Sequence, residues 1–169
     1  ESQLLGSQND MATIRLGDFP GEAGFQALLQ QAREAYDYVL IDSPAGLGPG
    51  FRLAVCGADR AIVVAVSDPS SLRDAQRVVT QLSQLETIHL VVNRVRPRLL
   101  RRQNTTIDDA MDTAGLPLLG LVPEDPKVVL AATEGRPLAQ LGARRGAVRA
   151  YENIARRLTG QPVPLMGLR

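Results

Sequence analysis

Acidic and amide side chains follow apolar runs of the sequence, at the points where strands would end. Asp42 closes the run Tyr38 to Ile41 and is followed by Ser43 to Gly46, then by Gly48 and Gly50. In nucleoside triphosphatases an aspartate after a buried strand holds the water shell of Mg²⁺, and glycines allow a loop that responds to the γ-phosphate. The alternative is an aspartate that caps the next turn, with glycines for tight bends.

Two further strand ends carry groups that could bind a nucleoside. Asn93 follows the apolar run Ile88 to Val92, and its carboxamide can offer a donor and an acceptor to a purine edge. The run Leu116 to Val122 leads into Pro123 to Asp125, where prolines fix a loop whose main chain and carboxylates could contact a base or ribose. The alternatives are a strand-terminating turn at Asn93 and a rigid connection with an N-cap aspartate.

A third polar segment follows the run Ala61 to Val66. Ser70 or Ser71 is suited to be the N-cap of the next helix, and Asp74 would then lie in its first turn, where the helix dipole favours a negative charge. A structural role is sufficient to explain these residues.

The sequence has no candidate for the cradle that holds nucleotide phosphates. Such a loop precedes a helix and carries a lysine after its glycines. Lys127 is the only lysine, and Gly50 is followed by Phe51 and Arg52. The glycine segment after Asp42 is therefore at most a sensor of phosphate.

Composition excludes several functional classes. The 169 residues, 44% hydrophobic and 22% charged, predict a single α/β domain over 1–169. A net charge of +1 gives no electrostatic case for nucleic acid, and the single Cys56 cannot form an internal disulfide. The basic run Arg96, Arg98, Arg101 and Arg102 has no interleaved aromatic residues for base stacking, so a solvated loop leading to a helix at about Thr105 is predicted.

The elements that would position these groups alternate between strand and helix. Four continuous apolar runs predict parallel strands covered on both faces: Tyr38 to Ile41, Ala61 to Val66, Ile88 to Val92 and Leu116 to Val122. Segments of helical period have their apolar residues at Phe25, Leu28, Leu29 and Ala32, at Leu72, Ala75, Val79 and Leu82, and at Val148, Tyr151, Ala155 and Leu158. This alternation predicts a mostly parallel, doubly wound sheet that binds ligands at the carboxyl ends of its strands.

Together the strand-end motifs form a recognisable series. They are Tyr36 to Gly46, Gly57 to Val64, Ser71 to Ala75, Leu90 to Arg94, Leu119 to Asp125, Glu134 to Pro137 and Ala150 to Leu158. In this order the segments resemble the MinD branch of the MinD/ParA group of deviant Walker ATPases, over about 36 to 160. The resemblance implies a P-loop NTPase-like fold whose N-terminal part, with its phosphate loop, is missing.

The resemblance also implies residue roles. Asp42 would belong to the Mg²⁺ and switch region, and Ser43 to Gly46 would enter the loop that responds to ATP. The remaining implied positions are the adenine side, at Asn93, Pro123, Glu124 and Asp125, and the face for the dimer and regulatory partners, at Ser71, Arg73 and Asp74.

In the family, ATP and Mg²⁺ close a homodimer that adheres to the inner membrane, a MinE-like regulator triggers hydrolysis, and a MinC-like partner rides on the dimer. The resemblance therefore implies a cytoplasmic protein that is peripheral at the membrane in its full-length form. Pro162 to Arg169 stops before the family's basic amphipathic helix, so membrane binding is expected only where that helix is present.

The missing phosphate loop predicts that this chain alone hydrolyses no ATP, because the electrostatic stabilisation of the transferring phosphate is absent. Three hypotheses follow: a division-site switch that is active in a full-length parent, a non-catalytic MinD/ParA-like scaffold or adaptor, and a related ATPase that positions plasmids or flagella.

Overall fold

The structure is a computed structural model, and it describes residues 11–15, 21–96, 107–141 and 145–165. The chain divides into two compact units, Glu1–Arg60 and Ala61–Arg169. The predicted single domain over 1–169 stays a prediction. Of the predicted basic run, Arg98, Arg101 and Arg102 lie outside the described residues, as does Thr105.

The first unit is built on two parallel strands. Strand β1 (Met11–Arg15) pairs with β2 (Tyr38–Asp42), helix α1 (Glu22–Ala35) connects them, and helix α2 (Pro49–Gly57) follows. Strand β2 confirms the first predicted strand and extends it by one residue. Strand β1 and helix α2 were not predicted, because neither carries a long apolar period.

The core of the first unit lies between α1 and the strand pair. The apolar residues of α1 recur at helical spacing, so Phe25, Leu29 and Ala32 are buried on one face of the helix. Gly57 ends α2 close to α1, where a Cβ atom would lie 2.7 Å from Cε1 of Phe25. The residues packed around this core are Ile14 and Ala54, with Leu28, Tyr36, Val39, Ile41 and Leu53 partly buried.

The second unit contains a three-stranded sheet in the order β3-β4-β5, with β4 and β5 parallel. Strand β3 begins at Arg60, the last residue of the first unit. In chain order the elements are β3 (Arg60–Val66), α3 (Pro69–Thr80), β4 (Thr87–Val95), α4 (Ile107–Ala114), β5 (Leu118–Pro123), α5 (Pro126–Glu134), a 3₁₀ turn (Leu138–Leu141) and α6 (Gly146–Leu158).

Helix α6 packs directly on β5 in the second core. Gly120 allows this approach, because a Cβ atom there would lie 2.9 Å from Cδ1 of Ile154. Of the four positions predicted for the apolar stripe of α6, Val148 is buried and Leu158 is half-buried, as predicted, whereas Tyr151 and Ala155 are exposed. The side chains buried in this core are Val91, Leu119, Val122, Ala147, Ala150 and Ile154.

The predicted burial of the strands on both faces is confirmed for the sheet interior and wrong elsewhere. Strands β4 and β5 are mostly buried along their length. In the part of the chain that the structure describes, β2 exposes Tyr38 and Leu40, and β3 exposes Ile62 and Val64. An apolar run identifies a strand but does not report which of its faces is covered.

Candidate functional site

Asp42 is the last residue of β2, as predicted, and is exposed. The segment from Ser43 to Gly48 leaves the sheet through exposed positions, with Gly46 at a φ of 86°. This left-handed conformation favours glycine because it has no Cβ atom. The hydroxyl of Ser43 donates to the carbonyl of Pro44 at 3.3 Å, so the loop makes its contacts locally.

Helix α2 limits the length of this loop. Gly48 is its N-cap and Pro49 occupies its first turn, where a missing N–H costs nothing. Gly50 therefore lies inside the helix, and the predicted glycine loop ends at Gly48. The guanidinium of Arg52 donates to the carbonyl of Leu47 at 3.3 Å and ties the loop to α2.

The residues around Asp42 fit one mode of magnesium binding. The described part of the chain contains no group of three or more histidine, cysteine or acidic residues that could hold a metal by itself. Mg²⁺ is commonly held by one or two carboxylates together with substrate phosphates and waters. An exposed aspartate at the carboxyl end of a parallel strand suits that mode, in which the nucleotide supplies the other ligands.

The start of α3 corrects one prediction. Asp68 is the N-cap, and its carboxylate accepts the backbone N–H groups of Ser70 and Ser71, each at 3.0 Å. The predicted N-cap at Ser70 or Ser71 is wrong, because Pro69 starts the helix earlier. The Ser70 hydroxyl also donates to Asp68, and this bond, followed by the Ser71 N–H, lowers the pKa of the Asp68 carboxyl.

The predicted partner face on α3 contains two kinds of residue. The Ser71 hydroxyl accepts the backbone N–H of Val66 at 3.0 Å, so this half-buried side chain fixes the β3–α3 turn. Arg73 and Asp74 are exposed, and Asp74 pairs with Arg77 at 3.3 Å. Of the three predicted positions, Arg73 and Asp74 are the two that present exposed side chains.

Asn93 lies near the carboxyl end of β4, at an irregular point of the sheet. Its side-chain oxygen accepts the backbone N–H of Arg94 at 2.9 Å. Arg94 has a φ of 52°, the only positive φ of a non-glycine residue in the described ranges, and the register between β4 and β5 shifts between Val92 and Val95. A left-handed residue of this kind marks local strain in a strand.

Glu124 is held by two arginines from the end of β4. The Arg96 guanidinium donates to both carboxylate oxygens, at 2.6 Å from Nη2 to Oε1 and by a second bond from Nε to Oε2. Arg94 Nη2 donates to Oε1 at 3.3 Å, and the backbone N–H of Glu124 donates to the Val95 carbonyl at 3.0 Å. The bond from Arg96, and then that from Arg94, holds the pKa of Glu124 below its ordinary value, and Glu124 raises the pKa of Arg96.

Asp125 caps two helices with one carboxylate. It is the N-cap of α5, accepting the backbone N–H of Lys127 at 3.0 Å on Oδ1, which confirms the structural alternative for this residue. Oδ2 accepts the backbone N–H of Ala147 in the first turn of α6 at 3.2 Å. Gly146 has a φ of 58°, and a Cβ atom there would overlap the carboxylate, so only glycine fits beside Asp125.

Four of the predicted site residues thus share one edge of the second unit: Asn93, Pro123, Glu124 and Asp125, where β4 and β5 end. Asp42 belongs to the first unit. Arg94 and Arg96, which also lie at this edge, were not among the predicted site residues. The signal was available, since arginines directly after one strand and a glutamate directly after its parallel neighbour are of opposite charge.

Comparison with known proteins gives a consistent result. No protein-family model matches the sequence. The septum site-determining protein MinD of Bacillus subtilis is 42% identical over 145 residues, which are 83% of this chain and 54% of the relative. The chain therefore spans about half the length of the relative.

Solved structures agree in fold. The MinC:MinD cell division complex of Aquifex aeolicus matches with a TM-score of 0.82 and 32% identity over 89% of this chain and 63% of that one. A septum site-determining MinD complexed with Mg-ADP from Pyrococcus horikoshii matches with a TM-score of 0.70 and 26% identity, over 82% of this chain and 56% of that one.

The parallel strands, the connecting helices and these matches define the fold as that of the MinD/ParA group of P-loop NTPases. The predicted resemblance is confirmed. Over most of its length the chain is homologous to the septum site-determining protein MinD. No helix among the described residues is long and apolar enough to cross a membrane.

Proposed function

We propose that this chain is part of a MinD-like, ATP-dependent switch for bacterial division-site placement, in which ATP binding and hydrolysis are coupled to dimerisation and membrane cycling. The observation that carries the proposal is the homology to MinD over 83% of the chain. Two features support it. The loop after Asp42 is exposed, which suits a segment that responds to phosphate. Asn93 and Glu124 are held by hydrogen bonds at the end of β4, which suits a segment that binds a base.

Asp42 and its loop would form the magnesium side of the switch. Bound Mg²⁺ would neutralise charge on the β- and γ-phosphates and bridge them to the protein. Asp42 would orient that ion through a water molecule. The segment Ser43 to Gly48 would change conformation with the γ-phosphate, since it is exposed and Arg52 bonds to it at its α2 end, through Leu47 and Gly48.

Asn93 and the loop Pro123 to Asp125 would form the adenine side. The loop is held at both ends of its main chain: the Glu124 N–H donates to β4, and Asp125 caps α5 and α6. A loop fixed in this way can present its backbone groups to a base with little entropic cost on binding.

The surface of α3 at Arg73 and Asp74 would face a second copy or a regulator. The Aquifex relative was solved in complex with MinC, which supports a MinC-like partner here. A MinE-like activator and an ATP-state homodimer belong to the same proposal. The protein would be cytoplasmic and would bind the inner membrane peripherally when it carries the family's C-terminal helix.

The 169-residue chain by itself is proposed to be inactive. Its one lysine, Lys127, lies in the first turn of α5, where its backbone N–H is bonded to Asp125. No lysine is available to follow a phosphate-binding glycine loop. We also propose that residues 1–169 form one α/β domain when the phosphate loop is present.

The test is a titration of a fluorescent ATP analogue with Mg²⁺ into two proteins. One is the 169-residue chain, and the other is the product of the whole gene that encodes it (the gene product). We expect tight binding by a gene product that carries a phosphate loop, and no measurable binding by the chain. Asp42→Ala and Asn93→Ala should each weaken binding by the gene product at least tenfold.

Arg136→Ala is the matched control, since it removes an exposed arginine that pairs with Glu134 at 3.4 Å and has no proposed contact with the nucleotide. Its affinity should equal that of the unaltered gene product. Absence of binding by both proteins would overturn the ATP switch and favour a non-catalytic MinD/ParA-like scaffold. Tight binding by the 169-residue chain would overturn its proposed inactivity.

A further inference from the structure

Two arginines at the end of β4 hold one glutamate at the end of β5, and the function proposed above assigns no role to either arginine. The three residues Arg94, Arg96 and Glu124 carry a net charge of +1. Arg96 binds Glu124 through two parallel bonds, the fork geometry that matches a guanidinium to a carboxylate.

We propose that Arg96, assisted by Arg94, is a positioning residue for the nucleotide base: it engages the Glu124 carboxylate and fixes the Pro123 to Asp125 loop as a rigid base-reading segment. This inference rests on the proposed function, because it concerns the adenine side of the same site. It assigns Glu124 to the support of the loop, and leaves the reading of the base to the loop main chain and to Asn93.

Both carboxylate oxygens of Glu124 accept bonds from the arginines. Oε1 accepts from Arg94 and Arg96, and Oε2 accepts from Arg96. A carboxylate that is engaged in this way has its charge compensated. Both lone pairs of Oε1 are engaged, so a bound adenine could use Glu124 as an acceptor for its amino group only through the remaining lone pair of Oε2.

Glu124 is bonded through both its side chain and its main chain. The backbone N–H of Glu124 donates to Val95 at 3.0 Å, so Glu124 is joined to β4 through its backbone and through its side chain. Asp125, the next residue, is bonded to the N-termini of α5 and α6. Successive residues of the loop are thus anchored to three elements.

The backbone conformation of Arg94 is left-handed. Its φ of 52° is unfavourable for a residue with a Cβ atom, and the register shift lies at the same point. Strain of this kind persists where the surroundings fix it. Arg94 makes two local contacts that do so: its backbone N–H donates to Asn93 Oδ1, and its guanidinium donates to Glu124.

An exposed ion pair usually contributes little free energy to stability. A pair joined by two bonds within a network of charges is the exception. The expected effect on binding is accordingly modest and selective. Loss of Arg96 should release the loop and weaken contacts to the base, while contacts to the phosphates stay unchanged.

The test compares three competitors of the fluorescent ATP analogue on the gene product with Mg²⁺: ATP, GTP and tripolyphosphate, which has no base. For Arg96→Ala and for Glu124→Gln we expect ATP affinity to fall about three- to fivefold, the ATP-over-GTP preference to fall, and tripolyphosphate affinity to be unchanged. The double variant Arg96→Glu with Glu124→Arg restores the ion pair in reverse and should recover part of the ATP affinity. Arg136→Ala again serves as the control.

Three outcomes separate this inference from the proposed function. ATP affinity and preference equal to those of the unaltered protein would overturn the positioning role and leave the switch intact. An equal loss of ATP and tripolyphosphate affinity would also overturn it, because the pair would then support the fold as a whole. Failure of the unaltered gene product to bind ATP would overturn the proposed function, and this inference with it.

Discussion

The loop after β2 and the edge formed by β4 and β5 both place polar groups at the ends of parallel strands, yet they are held in different ways. The loop from Ser43 to Gly48 is exposed, and Arg52 of α2 bonds to it at one end, through the carbonyls of Leu47 and Gly48. The segment from Glu124 to Asp125 is tied to β4, α5 and α6 by ion pairs, a backbone bond and a double helix cap.

The roles proposed for the two segments would account for this difference. A segment that responds to the γ-phosphate needs two conformations of similar free energy, so few bonds should hold either of them. A segment that reads a base gains affinity from being fixed in advance. Four changes, taken in order of decreasing expected effect, test whether the two regions differ in this way.

The largest effect is expected at Asp125, because its carboxylate caps two helices. Loss of one N-cap costs about 1 kcal/mol, so Asp125→Ala should lower the free energy of unfolding of the gene product by about 2 kcal/mol. Asp68→Ala, which removes the cap of α3 alone, should lower it by about 1 kcal/mol. Urea denaturation measures both, and equal losses would contradict the double cap.

A smaller effect is expected at Gly46 in the loop after β2. Its φ of 86° disfavours a residue with a Cβ atom, so Gly46→Ala should cost about 1 kcal/mol in the same denaturation experiment. Gly48→Ser is the control, since its φ of −73° suits any residue, and serine and glycine differ as N-caps by only about a few tenths of a kcal/mol. A Gly46→Ala variant as stable as the control would show that the loop does not keep this conformation.

Acidification should weaken the contacts of the rigid edge. The pKa of Glu124 lies below its ordinary value, because Arg96 and Arg94 donate to the charged form. The stabilisation is therefore present above the ordinary carboxyl pKa, and it is lost as the pH falls through the lowered pKa. Hydrogen exchange of the Glu124 amide, corrected for intrinsic rates, should lose protection over that range in the unaltered protein, and Glu124→Gln should show no such titration.

The smallest effect is expected at Arg52. Its bond to the Leu47 carbonyl is exposed and 3.3 Å long, so Arg52→Ala should change the free energy of unfolding by less than about 0.5 kcal/mol. Amide exchange in the loop should nevertheless become faster, while exchange at Glu124 stays unchanged. Slower exchange in the loop than at Glu124 in the unaltered protein would reverse the comparison between the two regions.

Much of the fold could be predicted from local patterns. The strands at Tyr38, Ala61, Ile88 and Leu118 follow from apolar, β-branched runs, and three helices follow from their period. Helices α2 and α5 were missed because each has nine residues, too few to show a long apolar stripe. Strand β1 was missed because its short sequence is defined by pairing with β2.

Some residues of the candidate site could likewise be predicted from the sequence, and others could not. Asp42, Asn93 and Asp125 could be chosen from their positions after strands, since a parallel sheet gathers strand ends at one edge. Arg96 could not be assigned in this way. Its role depends on the register of β4 against β5, which brings residues 28 positions apart into contact.

The sequence by itself determined the MinD-like class, the alternation of strand and helix, and the residue types at the strand ends, because these depend on short-range patterns and on order along the chain. The tertiary structure alone decided which charges meet, which faces of β2 and β3 are exposed, and that Asp125 serves two helices. Those features depend on packing between segments distant in sequence, where burial, register and hydrogen-bond geometry select one arrangement among many that the same residues would allow.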